Sequence, residues 1–416
     1  MTDTSNKQEP AVPAERPALL VLASTYPRWP DDHEPGFVHE LCKRLVSRFQ
    51  VTVVTSHTHG ALTDEVMDGV RVVRYRYAPA RCQTLVYDGG LATNLARAPW
   101  KALWLPGFLI GQYVAARRVA IRCPPAIVHA HWLLPQGWLA ARLAHRFNVP
   151  LVVTSHGGDL FGLRARPFVV LKRHVAAAST AMTVVSSAMR MESVRQGLRP
   201  PRLAVLPMGA DMMARFTPDL RQPRAPGTLL FVGRLVPKKG LAYLLEAMPH
   251  ILRQVPAARL SIAGFGPLEP MLKAQAVRLG IAGSVDFLGA TPQQGLTDLY
   301  RRASLTVAPF IRDRSGNQEG LPVVVMEAIA CGCPVVCGEV AGLADLLGDV
   351  AGTLCVDPRD TLALSAAVAR ALQQPEAALA TAARLRKTLV TRLDWGVVAT
   401  GYADLLDHCL TSAVEP

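Results

Sequence analysis

Short runs of β-branched and aliphatic residues recur along this chain, each followed by residues at helical spacing, and no other feature restricts its fold as much. In the first half the runs are Leu19–Ala23, Val51–Thr55, Val70–Arg74, Ile127–His129, Leu151–Thr154 and Met182–Val185. In the second they are Thr228–Val232, Arg259–Ala263, Val285–Leu288, Leu305–Ala308 and Pro334–Cys337. Strands apolar on both faces belong in parallel sheets with helices on either side. Between the runs, Phe37, Leu41, Leu45 and Phe49 fall four apart, and Leu241, Leu244, Leu245 and Met248 form a second apolar stripe. The series restarts after a proline-rich stretch from Met208 to Gly227. The expected class is α/β: two tandem, doubly wound, Rossmann-like domains, residues 18–208 and 209–390, facing each other across a cleft. Residues 1–17 read as a disordered tail, and residues 391–416 as helix packing back onto the first domain. Doubly wound sheets place ligands beyond the carboxyl ends of their strands, so two in tandem share one cleft.

With 416 residues, half of them apolar, the chain has material for two cores and is far from a disordered composition. The longest apolar run, Ala102 to Ala116, is interrupted by Pro106, Gly107, Gly111 and Gln112 and falls short of a spanning helix. The tail has no apolar segment of the secretory kind, so a cytoplasmic location is expected. The eight cysteines are mostly isolated in apolar surroundings and read as reduced, buried thiols. Cys331, Cys333 and Cys337 cluster, but no further Cys or His follows at zinc spacing, and no metal is expected. The net charge of +13 is one-sided: residues 1–215 carry 26 Lys/Arg against 14 Asp/Glu, and residues 216–416 carry 19 against 18. Whatever is acidic meets the first half.

Two segments of the second half carry chemistry. Phe231-Val-Gly-Arg-Leu-Val-Pro-Lys-Lys-Gly240 reads as a strand end, a turn and a helix start. Arg234 and Lys239 leave the strand tip where a helix N-terminus also points, which makes an anion site suited to a diphosphate. Gln318-Glu-Gly-Leu-Pro-Val-Val-Val-Met-Glu-Ala328 places Pro322 in a first helical turn. Glu319 then precedes the helix and Glu327 lies inside it, with the amides of Leu321, Val323 and Val324 at its mouth. Both glutamates could instead serve as partners of the helix dipole, which would explain neither the Gly-x-Pro turn nor the spacing.

These segments make the chain resemble the retaining glycosyltransferases of family 4, which have the GT-B architecture. The resemblance runs from about residue 18 to 410, and Glu319-Gly-Leu-Pro-x4-Glu327 is its most specific part. Gly233-Arg-Leu-x-x-x-Lys-Gly240, Ala263-Gly-Phe-Gly-Pro267 and Cys331-Gly-Cys-Pro-Val-Val336 accompany it in family order. The resemblance implies a nucleotide-diphosphate sugar donor. Arg234 and Lys239 would hold its diphosphate, Glu319 the sugar hydroxyls and Glu327 the ribose, with Gly320, Leu321, Val323 and Val324 supporting the β-phosphate and sugar. Gly233, Gly264 and Gly266 would line the donor site, although a tight strand-to-helix turn explains Gly264-Phe-Gly266 equally well. In the first domain, Thr25-Tyr-Pro-Arg-Trp-Pro-Asp-Asp-His-Glu-Pro-Gly36 resembles the loop that offers the family's two adjacent glycines; here Pro35-Gly36 leaves a single Gly36. Arg28 reads either as an extra phosphate or acceptor contact or as surface charge. His156, in Val152-Val-Thr-Ser-His156-Gly-Gly-Asp159, would approach the reacting centre, whereas His129 and His131 read as cleft wall.

The chain contains no Asp-x-Asp, the pair that holds a divalent ion in sugar transferases of the other major fold, so no metal and no cofactor are expected. The resemblance implies retention of anomeric configuration, with Arg234, Lys239 and helix N-termini meeting the charge on the departing diphosphate. Residues 70–122 hold nine basic side chains against Asp88, interleaved with Trp100, Leu103, Trp104, Phe108 and Ile110. That mixture suits an anionic membrane surface and a saccharide or lipid-linked acceptor, as in synthesis of bacterial-type surface polysaccharide or glycolipid. The other readings are a sugar-nucleotide epimerase or a pyridoxal-phosphate phosphorylase of the same architecture, or a basic nucleic-acid binder. The last lacks a recognition element or stacking platform, so nucleic acid is not an expected partner.

Overall fold

The two sheets are each built around a strand that starts a half of the chain. In the computed structural model, which describes residues 16–30, 32, 36–87, 90–219, 221–314 and 316–412, the first-half strands are β1 (Ala18–Leu22), β2 (Gln50–Ser56), β3 (Asp64–Met67), β4 (Val70–Tyr75), β5 (Ile127–His131), β6 (Leu151–Ser155), β7 (Ala181–Val184) and β8 (Leu203–Val205). The second-half strands are β9 (Ala225–Val232), β10 (Arg259–Ala263), β11 (Val285–Gly289), β12 (Ala303–Ala308), β13 (Val335–Gly338) and β14 (Cys355–Val356). Residues 1–15 and 413–416, with Asp31, His33, Glu34, Pro35, Asp88, Gly89, Leu220 and Ser315, lie outside the described residues.

The strand orders are β3-β4-β2-β1-β5-β6-β7-β8 and β11-β10-β9-β12-β13-β14. In each, the chain first builds to one side of the opening strand and then crosses to the other. The reversals fall between β1 and β5, where Val21 stands beside His129, and between β9 and β12, where Leu229 stands beside Leu305. Ligands of doubly wound sheets bind at such reversals. The two α/β sheets expected from the apolar runs are present. One departure is β3, which pairs antiparallel to β4 at the sheet edge. An edge strand faces water, and Asp64 and Glu65 replace the apolar run that marks a central strand.

One core cluster fills the first half and continues through Phe310, Val325, Leu343, Trp395 and Tyr402; another lies beneath the helix Leu241–Gln254. The last helix, Trp395–Ser412, packs on the helix Phe37–Leu45. Tyr402 donates its hydroxyl to the Leu206 carbonyl at 2.9 Å, and Arg48 reaches Asp404 and Asp407 at 2.7 and 2.9 Å. No helix among the described residues is long and apolar enough to cross a membrane.

The basic run 70–122 is less uniform than its sequence suggests. Arg74 is buried, pairs with Glu65 and donates to the carbonyls of Leu62 and Pro27, so it belongs to the interior. The helix Leu105–Arg122 buries Phe108, Gln112, Ala116 and Ala120, spaced four apart, and leaves a mixed apolar and basic outer face.

Candidate active site

Beyond the end of β9 the chain is laced to the loop after β10. Gly233 donates its N–H to the Ala263 carbonyl at 3.0 Å, and Leu235 donates to Phe265 at 2.8 Å. A Cβ on Gly264 would lie 1.9 Å from the Gly233 carbonyl oxygen, and one on Gly266 would lie 2.6 Å from that of Leu235. Gly264 and Gly266 are therefore required by two backbones crossing at close range, whatever else they do. The tight-turn reading of that segment accounts for them.

Pro237–Lys239 then makes one 3-10 turn before the helix Leu241–Gln254. The turn sends two neighbouring ammonium groups to one carboxylate: Lys238 Nζ lies 3.0 Å and Lys239 Nζ 3.3 Å from Glu319 Oε1. Lys239 also sits 4.3 Å above the Phe310 ring. Burial lowers the Lys239 ammonium from its ordinary value, with Lys238 and Arg234 adding to the effect and Glu319 opposing it. For Glu319, burial works upward, but Lys238 and Lys239 prevail and hold the carboxyl down at about 2. Lys238 was not singled out from the sequence. Its signal was the Lys-Lys pair itself, and only the 3-10 turn aims both residues at one acceptor.

Arg234 leaves the same loop half-buried and reaches the other half of the chain: a Cβ on Gly90 would stand 3.4 Å from its Nη1. No carboxylate among the described residues forms an ion pair with it. One guanidinium and two ammonium groups against a single carboxylate leave this corner with a net positive charge.

The helix Val323–Ala330 begins one residue later than the sequence suggested. Pro322 has φ −80° and ψ 102° and precedes the first turn instead of lying in it. Of the early N–H groups of that turn, that of Val325 donates to the Pro322 carbonyl at 3.1 Å, while Val323 and Val324 are only half-buried, so their amides leave the helix mouth available to an anion. Leu321 is buried just before it.

Glu327, one turn inside, is 6% exposed and accepts the Tyr300 hydroxyl on Oε2 at 3.0 Å. Burial pushes its carboxyl up to about 7, against the opposing pull of Tyr300, Arg215 and Lys239. Between the ordinary 4.5 and about 7 the folded protein holds a proton that the unfolded chain has released. Stability from this group is thus present below pH 4.5 and lost as pH rises through 7, by about 3 kcal/mol. The melting temperature of Glu327→Gln should fall less steeply over that window than that of the unchanged protein. Parallel curves would contradict the assignment.

The first half contributes the opposite wall. Gly36 directly precedes the helix Phe37–Leu45, and the Phe37 ring lies 4.8 Å from that of His156 at the tip of β6. Trp132 flanks His156 at 5.0 Å while holding a left-handed φ of +75°, a strained conformation of the kind that gathers at functional sites. His131 Nδ1 and His156 Nε2 share a hydrogen bond at 2.9 Å with stacked rings. Burial, with a contribution from His129, takes His156 down to about 3, so it is neutral near pH 7. His129 and His131 do not form the cleft wall expected of them. Both are fully buried, His129 on the Thr154 hydroxyl and His131 beneath His156. Alternation along β5 puts both on one face, and that face is covered.

Asp159 fixes the loop after β6 by accepting from the N–H of Leu133 at 2.7 Å and the Ser155 hydroxyl at 2.9 Å. Arg28 is bound to Asp32 through two nitrogens, at 2.8 and 2.5 Å, and stacks on Trp29, so its charge is engaged locally.

The two walls meet. A Cβ on Gly157 would lie 3.0 Å from Gly320 Cα, and one on Gly320 would lie 2.8 Å from the His156 carbonyl oxygen. An unbroken series of contacts therefore runs from Gly36–Phe37 through His156, Gly157, Gly320 and Glu319 to Lys238, Lys239, Gly233 and Arg234. Cys331, Cys333 and Cys337 are buried free thiols away from this series, and the described residues contain no group of three or more His, Cys, Asp or Glu placed to hold a metal ion.

The chain is similar to known proteins in both halves. Residues 215–388 match the family model for glycosyl transferases group 1, and residues 37–209 match the glycosyl transferase 4-like domain. A glycogen synthase of Mycobacterium tuberculosis is 32% identical over 389 residues, covering 88% of this chain and 89% of that protein. A GDP-mannose-dependent alpha-(1-6)-phosphatidylinositol monomannoside mannosyltransferase of Mycolicibacterium smegmatis is 30% identical over 279 residues, 64% of this chain and 73% of that one. Among solved structures, sucrose-phosphate synthase from Thermosynechococcus elongatus superposes with a TM-score of 0.77 at 20% identity, covering 95% of this chain and all of that one. Anabaena HepE in complex with UDP-glucose gives a TM-score of 0.69 at 15% identity, over 94% of this chain and all of that one. At such identities the last two show the fold alone.

Proposed function

We propose, from the fact that this chain belongs to the GT-B glycosyltransferases of the family-4 type, that it moves a sugar from a nucleotide-diphosphate sugar to a saccharide or lipid-linked acceptor with retention of anomeric configuration. The observation that carries this reading is the Lys238–Glu319–Lys239 cluster beside Arg234, at the mouth of the helix Val323–Ala330. Arg234 and Lys239 bind the diphosphate and take up the charge that develops on it as the glycosidic bond breaks, a preorganised electrostatic role. Glu319, held ionised, accepts hydroxyls of the transferred sugar, and Glu327 faces the ribose. Neutral His156 offers a hydrogen bond to the sugar without placing a competing cation there. The absence of an Asp-x-Asp pair supports a metal-independent reaction. The acceptor approaches on the same face as the leaving phosphate, which helps take its proton.

The relatives' names include a glycogen synthase and a phosphatidylinositol monomannoside mannosyltransferase, which supports an acceptor of the saccharide or glycolipid class. The basic first half supports a cytoplasmic enzyme resting on an anionic membrane surface.

A panel of UDP-, GDP- and ADP-sugars identifies the donor by thermal shift. A ligand at about a hundred times its Kd stabilises the native state by about 2.7 kcal/mol, so one nucleotide series should raise the melting temperature by several degrees. A flat response to all three at millimolar concentration would overturn the donor assignment. Retention is read from the anomeric configuration of the product, and inversion would overturn the same-face mechanism.

A further inference from the structure

A groove of about 650 Å3 lies between β4 and the helix Leu105–Arg122, and it shares no lining residue with the crevice described above. Gly107 and Gly111 allow the close packing that forms it: a Cβ on Gly107 would lie 2.4 Å from the Tyr77 carbonyl oxygen, and one on Gly111 2.8 Å from the Tyr75 ring. Residue 107 thus lies over 77 and residue 111 over 75, so helix and strand run in opposite directions. The far end of the helix therefore approaches Arg71 and Asp64.

Ile110, Val114, Arg118 and Arg122 all line the groove and are spaced four apart, so they form one ridge along it. The first half of the ridge is apolar and the second half cationic. Arg71 faces the cationic end and is paired with Asp64 at 2.8 Å, whereas Arg118 and Arg122 make no ion pair among the described residues. Beside the apolar end, Trp100, Leu103 and Ile110 are 58%, 77% and 63% exposed. Cations at one end and apolar side chains at the other are complementary to a single anionic amphiphile.

We propose that this groove seats an anionic phospholipid of a bilayer surface. The headgroup phosphate meets Arg71, Arg118 and Arg122, and the acyl chains run over Ile110 and Val114 with Trp100 and Leu103 inserted beside them. This rests on the membrane-surface reading above and narrows it from a basic stretch to one site.

Flotation of the full chain with vesicles of phosphatidylglycerol and phosphatidylcholine in equal parts, against phosphatidylcholine alone, tests both levels. A surface cation contributes about fivefold to binding of an anionic bilayer. Arg118→Gln/Arg122→Gln should therefore lose about 25-fold or more in partitioning. Arg97→Gln/Lys101→Gln, which removes two charges from the same basic run outside the groove, should lose clearly less. Ile110→Ser/Val114→Ser should also weaken binding while the donor-induced thermal shift is unchanged. Equal losses from the two double-charge variants would overturn the groove and leave the membrane reading standing. Failure of the unchanged protein to float on the anionic vesicles would overturn both.

Discussion

Replacing Lys239 by Ala is expected to lower turnover by about 10²–10³-fold, the cost of removing one preorganised charge from a developing anion. The fold should survive the change, because Lys238 still neutralises Glu319 from 3.0 Å. Lys239→Arg should restore the rate only in part, because a planar, delocalised guanidinium replaces the compact ammonium that sits 4.3 Å above the Phe310 ring. Glu319→Ala should cost turnover to a similar degree for a different reason. It removes the acceptor for sugar hydroxyls and leaves the buried Lys239 ammonium facing that of half-buried Lys238 without a counter-charge, which lowers Lys239 further and weakens its hold on phosphate. Initial rates at saturating donor, with melting curves on the same preparations, separate catalysis from folding. Near-normal turnover in both variants would remove the site assignment.

Gly240→Ala should be the most damaging single-methyl change in the donor-side half. Gly240 ends the 3-10 turn with φ +67°, and its Cβ would lie 1.7 Å from the Pro309 carbonyl oxygen. The left-handed conformation costs an L-residue about 1–2 kcal/mol, and overpacking against backbone adds about 1–3 kcal/mol. The neighbour is a main-chain oxygen just beyond β12, so a side-chain rotation cannot relieve the contact. The expected loss of about 2–5 kcal/mol corresponds to a fall in melting temperature of about 5–10 °C. Lys238 and Lys239 sit on the displaced turn, so donor affinity should fall as well. A variant that melts within about 2 °C of the unchanged protein would contradict this packing.

How far the sequence revealed the molecule depended on whether each element's environment was uniform. Central strands such as β1 and β9 are apolar on both faces and were visible as unbroken runs. The edge strand β3 is half solvated and charged, and β8 and β14 span three and two residues, too few for any period to register. The crevice was legible because its residues sit at strand tips, where position follows from topology. Side-chain partnerships were less so. Arg28 and Arg74 counted as available charge, although Asp32 at i+4 was a visible partner for the first. Glu65 reaches the second only through the antiparallel pairing of β3 and β4. His129 and His131 were placed on one face of β5, but their burial depends on Tyr402, which approaches His129 from the last helix, and on Trp132, which approaches His131 from a turn. Pairing across distant segments leaves no local trace, so the contact between Lys238 and Glu319, 81 residues apart in sequence, required the fold.

A crystal structure with the best-stabilising nucleoside diphosphate would decide whether the crevice grips a diphosphate. Its β-phosphate should lie within hydrogen-bonding distance of the Arg234 guanidinium and the Lys239 ammonium, over the N-terminus of the helix Val323–Ala330, with the ribose near Glu327. A nucleotide seated elsewhere at saturating concentration, with Lys239 still closed on Glu319 and the crevice vacant, would contradict that grip and the transfer chemistry built on it.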